Sequence, residues 1–503
     1  MGVFLNRFTV SIGLLLTALM VGGPAGAGTG SAGRVSRTAA DPSAEQVSPK
    51  AATHSADSTN SDATFTPRAL VLESIEIAGE TRTPKTIILD HIALAPGDEV
   101  TVEALESSRE RLIATDYFKS VEFSTRPGAS RGAVVLVVAV EDRSFPTFET
   151  GFGYDDLQGW FLTLLGLRFD NTFGIESQFR MGLRLGFRIA GIDGEWRTAA
   201  PPGGGIGFDA RFHVYNQRHL FFGSGPEDPD PWNGDEWRRF EQDIARAGAE
   251  VGLRYELRGR TQLSFGLQAE ANEPEGEFKE RERDGGGTKN EFGASDLPPV
   301  LATDLDKSTK TGVYFRAIRD TRNDDAYPLA GSFARLTLEA NTEMLGGDHI
   351  FTKLTGDVRK HIPLGGGRVF SSRAAGGILT EGAPYYDRFY IGGNYTIRGF
   401  EEWSLSSTEG DDGYWLVNAE IRVPLAGASR QQPKLTGLLF VDAGQSWRRG
   451  ESLTASGVES AFGYGLRLRL PWVGTLGLDG AVPMTEGRTG DPFRVHLLLG
   501  FSF

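Results

Sequence analysis

The chain has 503 residues, 66 glycines, no cysteine, 10% aromatic residues and a formal net charge of −14. Glycine is near twice its usual share without a collagen repeat, and the mean hydropathy is −0.25; together with the missing cysteines this excludes a collagen, a coiled coil, a bundle of membrane helices and a disulfide or zinc scaffold. The acidic balance excludes a general nucleic-acid binder, because nothing would offset repulsion from the phosphates.

Arg7 precedes an apolar stretch over 8–21, followed by Ala25-Gly26-Ala27. A basic start, a short apolar core and a small-residue cleavage site predict a secretory signal peptide over 1–27. The apolar run is shorter than the roughly 20 residues a spanning helix needs. Residues 28–68 are rich in Ser, Thr, Ala, Pro and Gly and read as a disordered linker. Gly28, Gly30 and Gly33 spell G-x-G-x-x-G, but no strand precedes them and no helix follows, so a dinucleotide site is not expected.

Residues 69–142 read as a small β-α-α-β-β domain. A strand is expected over 70–77, ended by Gly79. Thr83-Pro84 predicts an N-cap with proline at the first helical position, and Ile87, Ile88 and Ile92 form that helix's buried face. Pro96-Gly97-Asp98 is a turn. Thr101 caps a second helix, with Val102, Leu105, Leu112 and Ile113 as its apolar stripe. Strands follow over 118–124 and 133–140. The order of elements, with Ile75-Glu76-Ile77-Ala78-Gly79, Arg82-Thr83, Leu94-Ala95-Pro96-Gly97-Asp98 and Tyr117-Phe118-Lys119-Ser120-Val121, resembles a POTRA domain.

From 146 to 503 the pattern changes to period two. Over 175–188, Phe179, Met181, Leu183 and Leu185 alternate with Gln178, Arg180, Gly182 and Arg184. Residues 462–470 and 493–503 repeat the alternation, with one apolar and one polar face. Strands of this length exceed the usual five or six residues of a soluble sheet and suit a transmembrane barrel. Sixteen segments can be marked, at 147–154, 160–170, 175–188, 191–199, 206–216, 242–257, 260–272, 309–320, 331–343, 350–362, 367–378, 414–424, 434–445, 459–470, 473–483 and 492–503. The long polar gaps 217–241, 273–308, 379–413 and 446–458 all follow odd-numbered segments, while short links such as Gly365-Gly366-Gly367 follow even ones. Long loops at one end and short turns at the other are the habit of outer-membrane barrels.

Three motifs then resemble the Omp85 superfamily, the family of the bacterial surface antigen D15, which joins periplasmic POTRA domains to a 16-stranded barrel. Ile397-Arg398-Gly399-Phe400, preceded by Gly392-Gly393-Asn394, lies in the gap where the family carries a loop that folds into the lumen. Phe440, Asp442 and Gly444 stand on one face of the thirteenth barrel strand, like the family's F-x-D-x-G. Asp320 and Arg322, with Pro328 and Gly331 after them, resemble its signature at a periplasmic turn. Phe501 and Phe503, on the apolar face of the last strand, match the C-terminal recognition signal of outer-membrane barrels. The fold expected is mainly β: a 16-stranded transmembrane antiparallel barrel over 146–503 preceded by one POTRA domain.

The charges allow a partly independent argument. An arginine on a loop inside a barrel needs a carboxylate, and Asp442 is available beside a glycine that leaves room for the loop. The alternative for Arg398 is an ordinary solvated loop arginine; for Asp320 and Arg322 it is a plain Asx-type turn. Arg180, Arg184, Arg188, Arg467 and Arg469 read as a solvated lumen wall rather than a selectivity site.

The resemblance implies an outer-membrane protein of a Gram-negative-type bacterium, its POTRA domain in the periplasm, acting in outer-membrane protein assembly, insertion or translocation. Its partners would be outer-membrane lipids, unfolded outer-membrane or secreted clients taken up by strand addition, and periplasmic accessory proteins, with no nucleic acid and no cofactor. The first and last barrel strands, 147–154 and 492–503, would form a weakly closed seam for a client strand. A single POTRA domain resembles the smaller members of the family. A passive pore or solute channel is the alternative. The reading is of a non-enzyme: no G-x-S-x-G or H-E-x-x-H occurs and the seven histidines are scattered, which leaves only a minimal Ser/His lipase as an enzyme reading.

Overall fold

The computed structural model describes residues 70–503, except 80, 116, 144–145, 156–158, 172–175, 187, 199–204, 224–225, 227–237, 258–259, 282–286, 325–326, 428–432, 471–473, 486–491 and 500–502. The expected signal peptide and linker over 1–68 lie outside the described residues, and so does Phe501. The chain divides into two compact units, one ending at Ser144 and one over Phe145–Phe503.

The first unit contains β1 (Val71–Ala78), α1 (Lys85–Asp90), α2 (Val102–Ala114), β2 (Phe118–Pro127) and β3 (Ala133–Asp142). The sheet order is β1-β3-β2, with β1 parallel and β2 antiparallel to the central strand. Leu72, Ile88, Leu112, Val121, Leu136 and Val138 lie at the heart of one core between the helices and the sheet. Thr101 caps α2 by accepting from the Ala104 amide at 3.2 Å. The first helix departs from expectation: Pro84 itself is the N-cap residue, in an extended conformation, and Thr83 does not cap. In α2 the stripe is Leu105, Ser108 and Leu112, while Val102 and Ile113 are exposed. At about 100° per residue those two fall roughly 60–80° round the helix from Leu105, off the face that meets the sheet.

The two edges of this sheet differ. Along β1, the segment 97–100 lies as a short extra rung: Gly97 N donates to Leu72 O at 2.8 Å, Leu72 N to Asp98 O at 2.9 Å and Val100 N to Leu70 O at 2.8 Å. That edge is covered. Among the described residues, the β2 edge carries no further strand. Only its buried beginning is partly capped, where Arg109 Nε donates to Val121 O at 3.1 Å.

The second unit is the barrel. Its wall is β4 (Thr147–Asp155), β5 (Gly159–Asp170), β6 (Ser177–Gly186), β7 (Ile189–Thr198), β8 (Ile206–Gly223), β9 (Arg238–Leu257), β10 (Thr261–Pro274), β13 (Ser308–Asp320), β14 (Gly331–Asn341), β15 (Phe351–Gly365), β16 (Arg368–Leu379), β17 (Gly413–Ala426), β18 (Leu435–Trp447), β19 (Glu459–Leu470), β20 (Gly474–Pro483) and β21 (Arg494–Leu499). The order closes on itself, β21 returning beside β4. Each of the sixteen segments marked in the sequence falls on one wall strand. The short β11 (Phe278–Arg281) and β12 (Thr288–Phe292) form a hairpin outside the wall, because β10 pairs directly with β13 from Thr261 to Asn272.

The alternation decides which face meets lipid. On β19, Phe462, Tyr464 and Leu466 are 49%, 61% and 44% exposed, whereas Arg467 between Leu466 and Leu468 is 1% exposed. Apolar side chains thus face outward and charges inward, as hydrocarbon requires. The gaps 217–241 and 273–308 are not plain loops. β8 and β9 run on as a paired ribbon to Gly223 and Arg238. Phe221 and Phe240 stack there at 5.5 Å beside Phe278 and Leu301 of α3 (Pro299–Thr303). The ribbon extends because these aromatics bury one another, a tertiary gain that polar composition hides.

The first unit generates a direct test. Residues 69–142 expressed alone are expected to be folded and monomeric, and Thr101→Ala should lower their stability by about 0.5–2 kcal/mol through loss of the cap. Urea unfolding followed by circular dichroism checks both; an unfolded fragment would place the domain boundary elsewhere.

Candidate functional site

Between β16 and β17 the chain makes a long excursion from the wall, 380–412. Most of this segment is buried, including Tyr385, Tyr386, Ile391, Ile397, Phe400 and Trp403. It touches strands on opposite sides of the barrel. Asp387 meets Arg246 of β9 and Lys310 of β13, Asn394 meets β21 and Arg398 meets β18. A segment in contact with opposite walls of a barrel must run through its lumen, which therefore holds a packed loop rather than an open channel.

Arg398 sits at the inner end of this loop and is fully buried. Its Nε and one terminal nitrogen bind the two carboxylate oxygens of Asp442 at 2.7 and 2.9 Å, and its own amide donates to Asp442 Oδ2 at 3.1 Å. The second terminal nitrogen reaches Glu420 at 3.2 Å and Asp479 at 3.3 Å. The guanidinium lies 3.5 Å from the centroid of the Phe440 ring, a cation–π contact. Arg422 binds Glu420 at 2.6 Å and Arg467 binds Asp479 at 2.9 Å. Three arginines thus face three carboxylates, and all six are at most 1% exposed.

Strand geometry explains why these groups converge. Asn418, Glu420 and Arg422 are alternate residues of β17, so all three face inward. Asn418 stands directly opposite Asp442 of β18 in register. It donates 2.9 Å to Asp442 Oδ1 and 2.7 Å to the loop carbonyl of Thr396. Gly444 leaves room for the loop: an added Cβ would lie 2.6 Å from Trp415 O and 3.1 Å from Ile397 Cδ1. Gly399 turns the chain at φ +96°, where an L side chain is strained, and donates its amide 2.8 Å to His496 of β21.

The other sequence-marked residues fall in three places. Asp320 and Arg322 form both an Asx-type turn, Arg322 N to Oδ1 at 3.0 Å, and a two-point ion pair with 2.6 Å at its shortest. Asn323 Oδ1 accepts from Leu329 and Ala330 amides, both at 2.9 Å, and so folds buried Pro328 back over the β13–β14 turn toward Gly331. Phe503 is not on the lipid face. Its ring is buried, and its carbonyl accepts from Arg422 at 2.9 Å. The guanidinium supplies donors to the end of the chain that hydrocarbon cannot. Arg188 and Arg467 are likewise not a solvated wall: Arg188 pairs with Glu402 at 3.2 Å and lies 4.2 Å over the Trp403 ring, and Arg467 is held by Asp479. The inserted loop displaces the water those arginines would otherwise face.

A sequence model of the Omp85 superfamily domain matches residues 206–503, more than half of the chain. The chain belongs to the Omp85 superfamily. Residues 71–143 match the surface antigen variable number repeat, the POTRA model. Among curated proteins, the outer membrane protein assembly factor BamA of Nitratidesulfovibrio vulgaris is 22% identical over 430 residues, 84% of this chain and 49% of that protein. The sorting and assembly machinery component 50 homolog of Mus musculus is 27% identical over 197 residues, 35% of this chain and 42% of that protein. The chain spans about half or less of these relatives. Among solved structures, BamA from Haemophilus ducreyi lacking POTRA domains 1–3 superposes with a TM-score of 0.62 at 15% identity, covering 86% of this chain and 84% of that one. CdiB from Acinetobacter baumannii gives 0.50 at 15% identity, covering 86% and 74%.

In this Omp85 barrel, sequence reasoning paired Arg398 with Asp442 alone and missed Glu420, Asp479, Asn418 and His496. The signal was present in part: Asn418-x-Glu420-x-Arg422 is a run of inward polar residues on an alternating strand. Which of many inward carboxylates meets the loop depends on the pairing of β17, β18 and β20.

The geometry predicts the outcome of a double-mutant cycle. Arg398→Ala and Asp442→Asn should each free the loop, at a cost of about 3–5 kcal/mol for truncating one partner of a buried pair. The double variant should be little worse than either single one, since the shared contact is lost only once. Protease sensitivity of the loop in intact cells is the readout; fully additive defects would mean that the residues act separately.

Proposed function

We propose that this Omp85 chain is an outer-membrane assembly, insertion or translocation factor whose POTRA domain, in the periplasm, receives extended client segments and whose barrel templates or passes them. The observation that carries the reading is the locked loop. A barrel that fills its lumen with its own chain is poorly suited to passive flux, which weighs against the solute-channel alternative. The names of the relatives support the same class: assembly factor, and sorting and assembly machinery.

On the POTRA domain, the β2 edge supports strand addition. The β1 edge is already covered, so an incoming extended segment would pair along β2, with main-chain hydrogen bonds giving affinity largely independent of client sequence. Pro127 ends the available edge because it has no amide to donate. On the barrel, the junction of β4 and β21 is the seam at which a client strand would exchange. The work comes from the client's own transfer into lipid. The partners are therefore unfolded outer-membrane or secreted proteins and the lipids themselves, together with periplasmic accessory proteins.

Reconstitution in liposomes tests the proposal. The purified chain should accelerate folding of an unfolded barrel client into protease-resistant form, and Arg398→Ala should lose most of that acceleration. In planar bilayers the wild type should give small flickering currents. Large steady currents with no effect on client folding would favour the channel instead.

A further inference from the structure

The lumen loop has a second buried charge, and its sign is opposite to that of Arg398. Asp387 is 3% exposed and lies where the loop enters the lumen. Its carboxylate accepts from Arg246 of β9 at 3.1 Å and from Lys310 of β13 at 3.1 Å. Its backbone carbonyl accepts from Lys353 of β15 at 2.6 Å. Glu270 of β10 completes the group, 2.5 Å from Arg246 and 3.5 Å from Lys310, and is itself 2.9 Å from His213 of β8. The neighbouring Tyr386 and Tyr385 pack into the aromatic cluster of Phe221, Phe240 and Phe278.

We propose that Asp387 is a second positioning residue of the loop, a charge-inverted anchor that holds its entering limb to the β9–β13–β15 wall independently of the Arg398 anchor on β17, β18 and β20. The charge arithmetic requires a role of this kind. Arg246 and Lys310, both buried, face the carboxylates of Glu270 and Asp387, while half-buried Lys353 bonds the Asp387 carbonyl. Without the aspartate, two buried cations would share one carboxylate, a costly state inside a protein. The loop therefore supplies a cation to an acidic wall and an anion to a basic wall, and each wall is incomplete without it. Opposite signs at the two anchors also fix direction: the loop cannot be seated the other way round without placing like charges together. The inference rests on reading this loop as the positioned element of the barrel.

The chain has no cysteine, so one introduced cysteine is a unique reporter. Ala383→Cys reports the entering limb and Thr396→Cys the inner end, each read as the initial rate of maleimide labelling of the full-length folded protein. Asp387→Asn should raise labelling at 383 by about tenfold or more and leave 396 within about twofold, since only one buried pair has been truncated. Arg398→Ala should give the reverse pattern. Adding Lys310→Met to Asp387→Asn should bring the rate at 383 back toward wild type, because it removes the stranded cation. If Asp387→Asn alone yields no folded barrel, that double variant should restore it. Unchanged labelling at 383, equal increases at both positions, or no rescue by Lys310→Met would each overturn the inference. Labelling reads the loop and not client folding, so failure here and failure of the insertion reading are separate results.

Discussion

A guanidinium enclosed in a barrel is the constraint around which this molecule is organised. Removing Arg398 from water is costly, and only close, well-aimed carboxylates can offset the cost. The two-point bond to Asp442, with Glu420 and Asp479 at a further nitrogen, supplies them. Those carboxylates are themselves buried, and Arg422 and Arg467 share them. Such a network adds little net stability compared with an apolar plug of the same shape. What it provides is position. Bidentate geometry tolerates little displacement, so the loop tip, Gly399 and the β21 contact through His496 are placed together.

That placement links parts of the chain that are remote in sequence. The loop between β16 and β17 reaches β9, β13, β15, β17, β18, β20 and β21, and so ties the wall strands to one internal post. The end of the chain joins the same network through the Phe503 carbonyl on Arg422. The outer ribbon of β8 and β9 closes over the other end of the loop with aromatic packing. Polar and apolar contacts thus have separate roles. Charge sets the register of the loop, while Phe221, Phe240, Tyr385 and Tyr386 exclude water above it.

The POTRA unit follows a different logic. Its core is small and apolar, packed between two helices and the sheet. Residues 97–100 occupy one sheet edge, which leaves β2, among the described residues, as the edge without a further strand. Two helices cover one face, so strand addition at that edge would extend the sheet without disturbing the core.

Much of this was legible in the residues. Period-two alternation on β6 and β19 reports the lipid and lumen faces directly, because hydrocarbon selects every second side chain. Loop length after odd strands gave the strand count its parity. Arg398 and Asp442 could be paired because glycine flanks one, strand phase points the other inward, and both stand in motifs that resemble those of the Omp85 superfamily. Other features were not legible. The ribbon over 217–223 and 238–241 reads as loop, since the aromatic partners that extend it come from another excursion. Val102 and Ile113 look like core until the helix is docked. Glu420, Asp479 and Asp387 could not be singled out, and Arg188 and Arg467 read as a wet wall. Sequence by itself determined the lipid and lumen faces of the long alternating strands, through local periodicity and the solvent each face must meet. Tertiary structure alone decided which inward charges meet, because strand register and the path of one inserted loop set distances of a few ångströms between residues far apart in the chain.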